Sequence, residues 1–417
     1  MSGDSAALAA ALKRFEGLYP ETIHLSLGRV EAALEALDRP QDRLPPVIHV
    51  AGTNGKGSTT AFMRAMAEAA GLKVHVFTSP HLVRFNERIR LAGDIVDDER
   101  LIGWLEQTYE AIKGQEITHF EATTATALLA FSEVPADLLI LEVGLGGRYD
   151  ATNVIEAPAL CVITPVDFDH KAFLGSDIRK IAGEKAGIIR PGRPVLSAIQ
   201  RKVCDEVITA EAALKDAPLY KLKAHYIDAM PDHIGLIGEH QRANAALAAM
   251  AMQLFGNSTR ISQEAIFEGA RTATWPARMQ RLKDGPLTAL VPGREVWLDG
   301  GHNPHAARAI ARHLKKQDGK TVLVSAMLAS KDATGFFLPF RTLRPPVFTV
   351  PNAPGHRAAE PAELAEAANT AGLDATPCDS LEAGLKAAAE TGADRILICG
   401  SLYLAGEVLS KNGEEPV

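Results

Sequence analysis

Short runs that are apolar on both faces recur along this chain, and helical patterns separate them. VIHVAG (47–52), KVHVFTSP (73–80), ADLLILEVGL (136–145), ALCVITPV (159–166) and RPVLSAI (193–199) are such runs. Helical stretches lie near 57–70, 176–189 and 202–215. A strand with apolar residues on both faces belongs inside a sheet covered on both sides, and the helices are then the crossovers between parallel strands. The pattern predicts a doubly wound α/β sheet. Two further helices, GEHQRANAALAAMAMQLFG and SQEAIFEGARTA, extend this unit. The segment WPARMQRLKDGPLTALVPGREV then gathers prolines, glycines and charges, which puts a domain boundary near Asp284–Gly285. After it the alternation restarts with EVWLDG, TVLVSAML, PVFTVP and RILICGS. The expected organisation is a P-loop-containing parallel sheet domain over 1–284 and a smaller Rossmann-like α/β domain over 285–417.

A chain of 417 residues, 47% hydrophobic and 23% charged, can bury a core of that size. Its formal net charge of −7 argues against a nucleic-acid binder held by phosphate contacts. No apolar stretch reaches the roughly 18 residues that a membrane helix needs. The N-terminal MSGDSAALAAALKRFEGL has no basic segment followed by a long apolar one, so no secretion signal is read there. Cys161, Cys204, Cys378 and Cys399 are not at metal-ligand spacing, and reduced, buried thiols in a cytoplasmic protein are expected.

The segment VIHVAGTNGKGSTT (47–60) is a strand, a glycine-rich turn and the start of a helix. Backbone N–H groups and a helix N-terminus in that order cradle an anion. The spelling departs from the common G-x-x-x-x-G-K-[ST] form, because Gly57 follows Lys56 and Ser58 comes one residue late. Gly52, Thr53, Asn54, Gly55, Lys56, Gly57 and Ser58 are the expected phosphate loop. Lys56 would neutralise the terminal phosphates, and the N–H groups of Asn54–Ser58 would hold their oxygens.

A nucleotide bound there needs Mg²⁺, which takes oxygen ligands and waters. Ser79, Glu142 and His170 follow or end three neighbouring strand patterns, at the edge where the loop also lies. Each alone would be a capping or solvated residue; together they suit a metal. Glu142 is the strongest, since a carboxylate ending a buried strand is costly unless a cation or donor meets it. LEVGLGGRYDATN is not a dinucleotide fingerprint and reads as a tight loop beside a ligand. Lys185 falls on the apolar side of its helix, among Ile181, Ile188 and Ile189. Such a lysine either snorkels to solvent or, if buried, becomes neutral and nucleophilic enough to take up carbon dioxide as a carbamate. In WLDGGHNPHAA, Asp299, His302 and Asn303 stand where a strand becomes a helix. Asp299 suits a ribose hydroxyl, and Asn303 suits a helix N-cap.

Taken in order, HLSLGRV, VAGTNGKGST, FTSPHLVRFNERI, LEVGLGGRYDATN, DFDHKAFLG, GEKAGI, HQRANA, WPARMQ, DGGHNPHA and ICGSLYL span nearly the whole chain. In these segments the chain resembles folylpolyglutamate synthase and bifunctional dihydrofolate synthase/folylpolyglutamate synthase, of the Mur ligase superfamily. The resemblance implies ATP and Mg²⁺, with the metal on Ser79, Glu142 and His170, and a carbamylated Lys185. It implies further ATP contacts from Asn244, Arg278, Asp299 and His302. A folate-side pocket would lie around Thr118, Phe120, Asp150 and Ala151. Ala277 stands where the family commonly has glycine, Gly301 where it commonly has alanine, and Lys171 is a less familiar residue after DFDH.

The chemistry implied is activation of a carboxylate by the γ-phosphate of ATP, giving an acyl phosphate that the amino group of L-glutamate attacks. Lys56, Lys185 and His170 are the residues expected to support it, with His170 as a metal ligand and not a base. The expected acceptors are dihydropteroate and reduced folates, both on one enzyme, a monomer; the alternatives are a monofunctional folylpolyglutamate synthase, which could retain much the same loops, and another Mur-type amide ligase. A cell-wall Mur ligase usually carries a UDP-binding domain before the loop, and only about 50 residues precede Gly52 here. A P-loop kinase would need no amine substrate, and a nucleotide-binding switch would not need the acid, histidine and lysine together.

Overall fold

The computed structural model describes residues 4–19, 26–169, 174–256, 261–352 and 357–415. Two sheets carry the fold. The first runs β4-β3-β2-β5-β1-β6-β7-β8. Its strands are β1 (Val47–Ala51), β2 (Val74–Phe77), β3 (Ile89–Leu91), β4 (Asp94–Ile95), β5 (Leu138–Glu142), β6 (Leu160–Ile163), β7 (Val195–Ser197) and β8 (Leu219–Lys221). The pairings from β2 through β8 are parallel, while β3 and β4 are antiparallel.

The runs read as two-sided are two-sided in space. Every residue of β1, β5 and β6 is buried. On one face Ile48, Val50 and Ile140 pack with Phe62, Met63, Met252 and Ile266 of three helices, Lys56–Ala69, Glu239–Phe255 and Gln263–Thr272. On the other, Val47, Leu139 and Leu141 pack with Leu101, Leu128 and Phe131 of helices Asp98–Ala111 and His119–Glu133. Successive strand residues point to opposite faces, so both layers are needed to bury them.

The hairpin β3–β4 lies outside the alternation read from sequence. It turns at Ala92 and Gly93, both with positive φ (51° and 109°). Positive φ at both central residues fits a tight hairpin turn. Alanine in the first position gives no sequence signal for one.

The second sheet runs β13-β12-β11-β14-β10-β9. Its strands are β9 (Gln280–Arg281), β10 (Glu295–Asp299), β11 (Thr321–Ser325), β12 (Val347–Thr349), β13 (Ala375–Pro377) and β14 (Arg395–Cys399). All pairings are parallel except β9 with β10. Leu298, Val324 and Ile398 pack with Leu404 and Val408 on one side. Leu323, Leu397 and Cys399 pack with Phe336, Phe337 and Ile310 on the other. Because β9 pairs here, and Ala277 packs in this core, the chain enters the second sheet a few residues before Asp284–Gly285. The early strand is two residues long and polar, so no apolar run announces it. Among the described residues no helix is long and apolar enough to cross a membrane.

Candidate active site

The segments after β1, β2, β5, β6, β10 and β14 line one cavity of ≈ 900 Å³, so both sheets present their C-terminal strand ends to it. This is the edge where open α/β sheets bind ligands. The phosphate loop forms part of the wall. Gly52 (φ 147°) and Gly55 (φ 88°) take conformations that side chains disfavour. A Cβ on Gly52 would stand 1.9 Å from Thr164 Oγ1, and one on Gly55 2.6 Å from Asn244 Oδ1. The helix Lys56–Ala69 starts at once, and no side chain caps its N-terminus. Its first N–H groups and its positive dipole end therefore face the cavity without a protein anion.

The start of the loop is tied down instead of free. The N–H groups of Thr53 and Asn54 both donate to the Pro165 carbonyl, at 3.1 and 3.3 Å. Thr53 Oγ1 donates to the Asp167 carbonyl and accepts from its N–H. This narrows the sequence expectation, in which Asn54 N–H held a phosphate: the donors still open lie at the helix start. Asn54 Nδ2 is buried with no partner among the described residues.

Lys56 Nζ donates to the Gly52 carbonyl (3.3 Å) and stands 3.9 Å from Glu142 Oε1. Glu142 is 5% exposed, and burial pushes its carboxyl up to about 7, against the pull of Lys56 and Arg278. Half-buried Ser79 lines the same space. A hydroxyl and a buried carboxylate without a close hydrogen-bond donor are oxygen ligands of the kind Mg²⁺ takes. Among the described residues no three His, Cys, Asp or Glu side chains cluster as a metal site. His170, the third expected ligand, lies outside the described residues, as does Lys171.

Lys185 does not snorkel. It is 3% exposed, inside the helix Ile178–Ala186. The loop 144–148 covers it: a Cβ on Gly147 would meet the Glu184 carbonyl at 2.4 Å and Lys185 Cα at 3.2 Å. Burial, reinforced by Lys56, pushes the Lys185 ammonium down to about 7, while Asp150, Asp169 and Glu184 act in the opposite sense.

Thr118, Phe120, Asp150 and Ala151 line the same cavity, and several are engaged by the protein itself. Thr118 and Glu121 form a capping box at the helix His119–Glu133, and Arg29 forks onto Glu121 with two bonds of 2.9 Å. Phe120 lies half-buried, its ring against the Gly144 backbone and 6.1 Å from Phe77. Asp150 accepts from Leu145 N–H (2.8 Å) and from the Thr152 N–H and hydroxyl (3.0 and 2.5 Å). Burial raises its carboxyl. Ala151 is buried beside it.

In the second sheet, Asp299 Oδ1 accepts from Gly301 N–H (2.7 Å) and Oδ2 from Met279 N–H (2.9 Å). The carboxylate thus shapes the turn as well as lining the cavity, and burial raises it. Arg278 Nη1 donates to the Ala277 carbonyl, 2.8 Å. Ala277 itself has φ 53°, a conformation that suits glycine better. His302 Nδ1 is 3.0 Å from the Gly300 carbonyl and Nε2 is 3.3 Å from Asp169. Asn244, buried, donates to Gln241 Oε1 (2.9 Å).

Sequence reasoning missed the residues that tie the two sheets together. Asn303 caps its helix as expected, and its Nδ2 also reaches Asn54 (3.0 Å) and Asp169 (3.1 Å). Lys331 pairs with Asp169 at 2.5 Å, and Arg308 with Asp167 at 2.7 Å. Arg88, 8% exposed, also faces the cavity, with Nε on His81 and its plane near Phe85. Its place in FTSPHLVRFNERI was the available signal.

The sequence and the fold recur in known proteins. Residues 292–411 match the family model described as dihydrofolate synthetase, C-terminal domain. Over 335 residues the chain is 37% identical to the dihydrofolate synthase/folylpolyglutamate synthase of Bacillus subtilis, covering 73% of this chain and 76% of that protein. The chain belongs to the dihydrofolate synthase/folylpolyglutamate synthase family. Two solved structures of the family superpose over nearly all of it. Escherichia coli FolC in complex with DHPP and ADP has a TM-score of 0.84 at 31% identity, covering 98% of each chain. The bifunctional folylpolyglutamate synthase/dihydrofolate synthase of Yersinia pestis, complexed with AMPPNP and Mn ion, has a TM-score of 0.84 at 31% identity, covering 98% of this chain and 99% of that one. This family member therefore has the two-domain α/β fold expected from its strand pattern.

Proposed function

We propose that this chain is an ATP-dependent carboxylate–amine ligase that adds L-glutamate to dihydropteroate and to the glutamate tail of reduced folates. The observation that carries the reading is the uncapped loop helix, with Lys56 3.9 Å from Glu142, opening on a cavity walled by both sheets. It supports a reaction in which a charged phosphoryl group moves between two other substrates.

The helix N-terminus and Lys56 hold the β- and γ-phosphates. Asn244, Arg278, Asp299 and His302 line the nucleotide side, with Gly52–Ser58 beneath. Ser79 and Glu142, with His170 from the sequence, would hold Mg²⁺, which when bound would offset charge on the transferring phosphoryl group. The substrate carboxylate attacks the γ-phosphorus and ADP leaves. The glutamate nitrogen then attacks the acyl carbon, and phosphate departs from the tetrahedral intermediate. Lys56 stabilises the charge that develops.

Phe120 stacks on the flat ring system. Thr118, Asp150 and Ala151 shape the wall beside it. Arg88 suits a substrate carboxylate, being a buried guanidinium that faces the cavity with its Nε on His81. Lys185 carries a carbamate: it is buried, held near neutrality, and flanked by Lys56, which would balance the new anion. The four cysteines, all free, fit a cytoplasmic enzyme. A cavity walled by both sheets of one copy fits a monomer.

The test is ADP and phosphate release by purified protein with ATP and Mg²⁺. Glutamate is supplied or omitted, and dihydropteroate and tetrahydrofolate are offered separately. Release that needs both glutamate and an acceptor supports the ligase. Product from only one acceptor rejects the other half of the activity. Release indifferent to glutamate rejects the reading.

A further inference from the structure

Behind the phosphate loop lies a second cavity, of ≈ 70 Å³, which shares Gly57, Ser79, Glu142 and Arg278 with the large one. It follows one face of the loop helix, where Gly57, Thr60, Ala61 and Arg64 fall at i, i+3, i+4 and i+7. At 1.5 Å per residue, Arg64 lies about 10 Å beyond the loop. Arg90 of β3 closes the same space from the sheet.

The groups facing this space are under-bonded. Thr60 is fully buried, and its Oγ1 has no partner among the described residues. Arg64 is 9% exposed, and its Nε has no hydrogen-bond partner there either. Glu68 stands 4.0 Å from that Nε, at the limit of an ion pair, with its own side chain 34% exposed. Arg90 donates from Nη1 to the Gly93 carbonyl, 2.8 Å. Burial and the nearby charge of Arg64 together hold Arg90 down to about 10. Two acids stand in the wall: Glu142 lies 3.9 Å from Lys56 at the mouth, and Glu87 is committed to the N–H groups of Leu82, Val83 and Arg84. Two guanidiniums that repel each other are thus offset by two loosely placed carboxylates, partly exposed Glu68 and exposed Asp94. Buried cations in that condition favour a small oxyanion, which would accept from both and from Thr60.

We propose that this cavity binds inorganic phosphate and receives the phosphate released by the ligase. The proposal rests on the reading above. In that reaction orthophosphate is set free between Lys56 and Glu142, at the mouth of the cavity. A compact tetrahedral anion suits a space of this volume, whereas a nucleotide or folate does not. Passage along the helix face to Arg64 and Arg90 separates phosphate from the new amide and clears the loop for the next nucleotide.

The test is titration of inorganic phosphate into the full-length protein saturated with Mg²⁺ and a non-hydrolysable ATP analogue, read by calorimetry. The analogue fills the loop, so phosphate that still binds sits elsewhere. The wild type should bind one phosphate per chain. Arg64→Met should weaken it by about tenfold or more, the loss of a charge-assisted contact. Thr60→Val, which keeps the side-chain shape and guards against a folding defect, should weaken it by about threefold or more. Both should bind the ATP analogue as the wild type does. No saturable phosphate binding to the analogue-loaded wild type, or unchanged phosphate affinity in both variants, overturns the proposal. No turnover is needed, so a failure here is distinct from a failure of the ligase assay.

Discussion

Asn303 links the two halves of the cavity: its Nδ2 donates to Asn54 Oδ1 at 3.0 Å, while its Oδ1 caps the helix Pro304–Leu314 through Ala306 N–H at 2.9 Å. One side chain therefore starts a helix of the second sheet and holds the phosphate loop of the first.

The two roles separate by substitution. Asn303→Ser keeps a capping oxygen and loses the amide donor, so its stability should stay near wild type while turnover falls. Asn303→Ala loses both and should cost about 1 kcal/mol of stability as well. Urea unfolding beside steady-state kinetics reads the difference. Equal turnover in wild type and Asn303→Ser would show that the contact does not serve the reaction.

Lys56→Ala should still fold, because the side chain faces the cavity and loses only its carbonyl contact to Gly52 and its 3.9 Å approach to Glu142, whose raised carboxyl can take up a proton. Removing one preorganised charge-stabilising group costs roughly 3–4 kcal/mol in the transition state, a loss of about 10²–10³ in kcat. Turnover near the wild-type rate would remove Lys56 from the phosphate site.

Lys185 predicts a dependence on bicarbonate and pH. Only the neutral amine takes up carbon dioxide, and the ammonium is held down to about 7. Carbamylation should therefore rise as pH rises through about 7, where an ordinary lysine stays charged. A carbamate resonance in carbon-13 spectra with labelled bicarbonate, absent in Lys185→Ala, checks this. Rescue of Lys185→Ala by a short carboxylic acid should accompany it. Full activity with a free amine at position 185 would contradict it.

His49 predicts how the fold responds to acid. It is 1% exposed in β1, and burial, with Arg190 nearby, pushes its imidazole down to about 3. Its Nε2 is 2.9 Å from Thr152 Oγ1, which donates to Asp150 at 2.5 Å. In the unfolded chain His49 titrates near 6.5. Below that pH the unfolded state binds a proton that the native state refuses. The contribution is thus complete above pH 6.5 and is lost as pH falls toward about 3. Over that window it amounts to on the order of 5 kcal/mol. Urea unfolding between pH 4.5 and 8 should show a shallower pH slope for His49→Gln than for the wild type. Equal slopes would place the acid sensitivity elsewhere.

Local pattern carried the fold and the loop, and stopped at contacts made across the chain. The two-sided apolar runs required a sheet covered on both faces, and β1, β5 and β6 are buried throughout. The loop was legible because strand, glycines, Lys56 and helix are contiguous. The hairpin at Ala92–Gly93 was not, since its strands are three and two residues long. Lys185 had two readings because its burial depends on the loop at Gly147, 38 residues earlier in the chain. Asp169 meets Asn303 and Lys331 from 134 and 162 residues away, and neither residue's neighbours announce the pairing.

If a substrate carboxylate passes through an acyl phosphate, one of its oxygens leaves with the phosphate, and an isotope label follows it. Dihydropteroate or tetrahydrofolate carrying ¹⁸O in the reacting carboxylate is converted with ATP, Mg²⁺ and glutamate, and the released phosphate is weighed by mass spectrometry. One carboxylate ¹⁸O should appear in each phosphate, in step with amide product. Phosphate free of the label, with amide still formed, would contradict it.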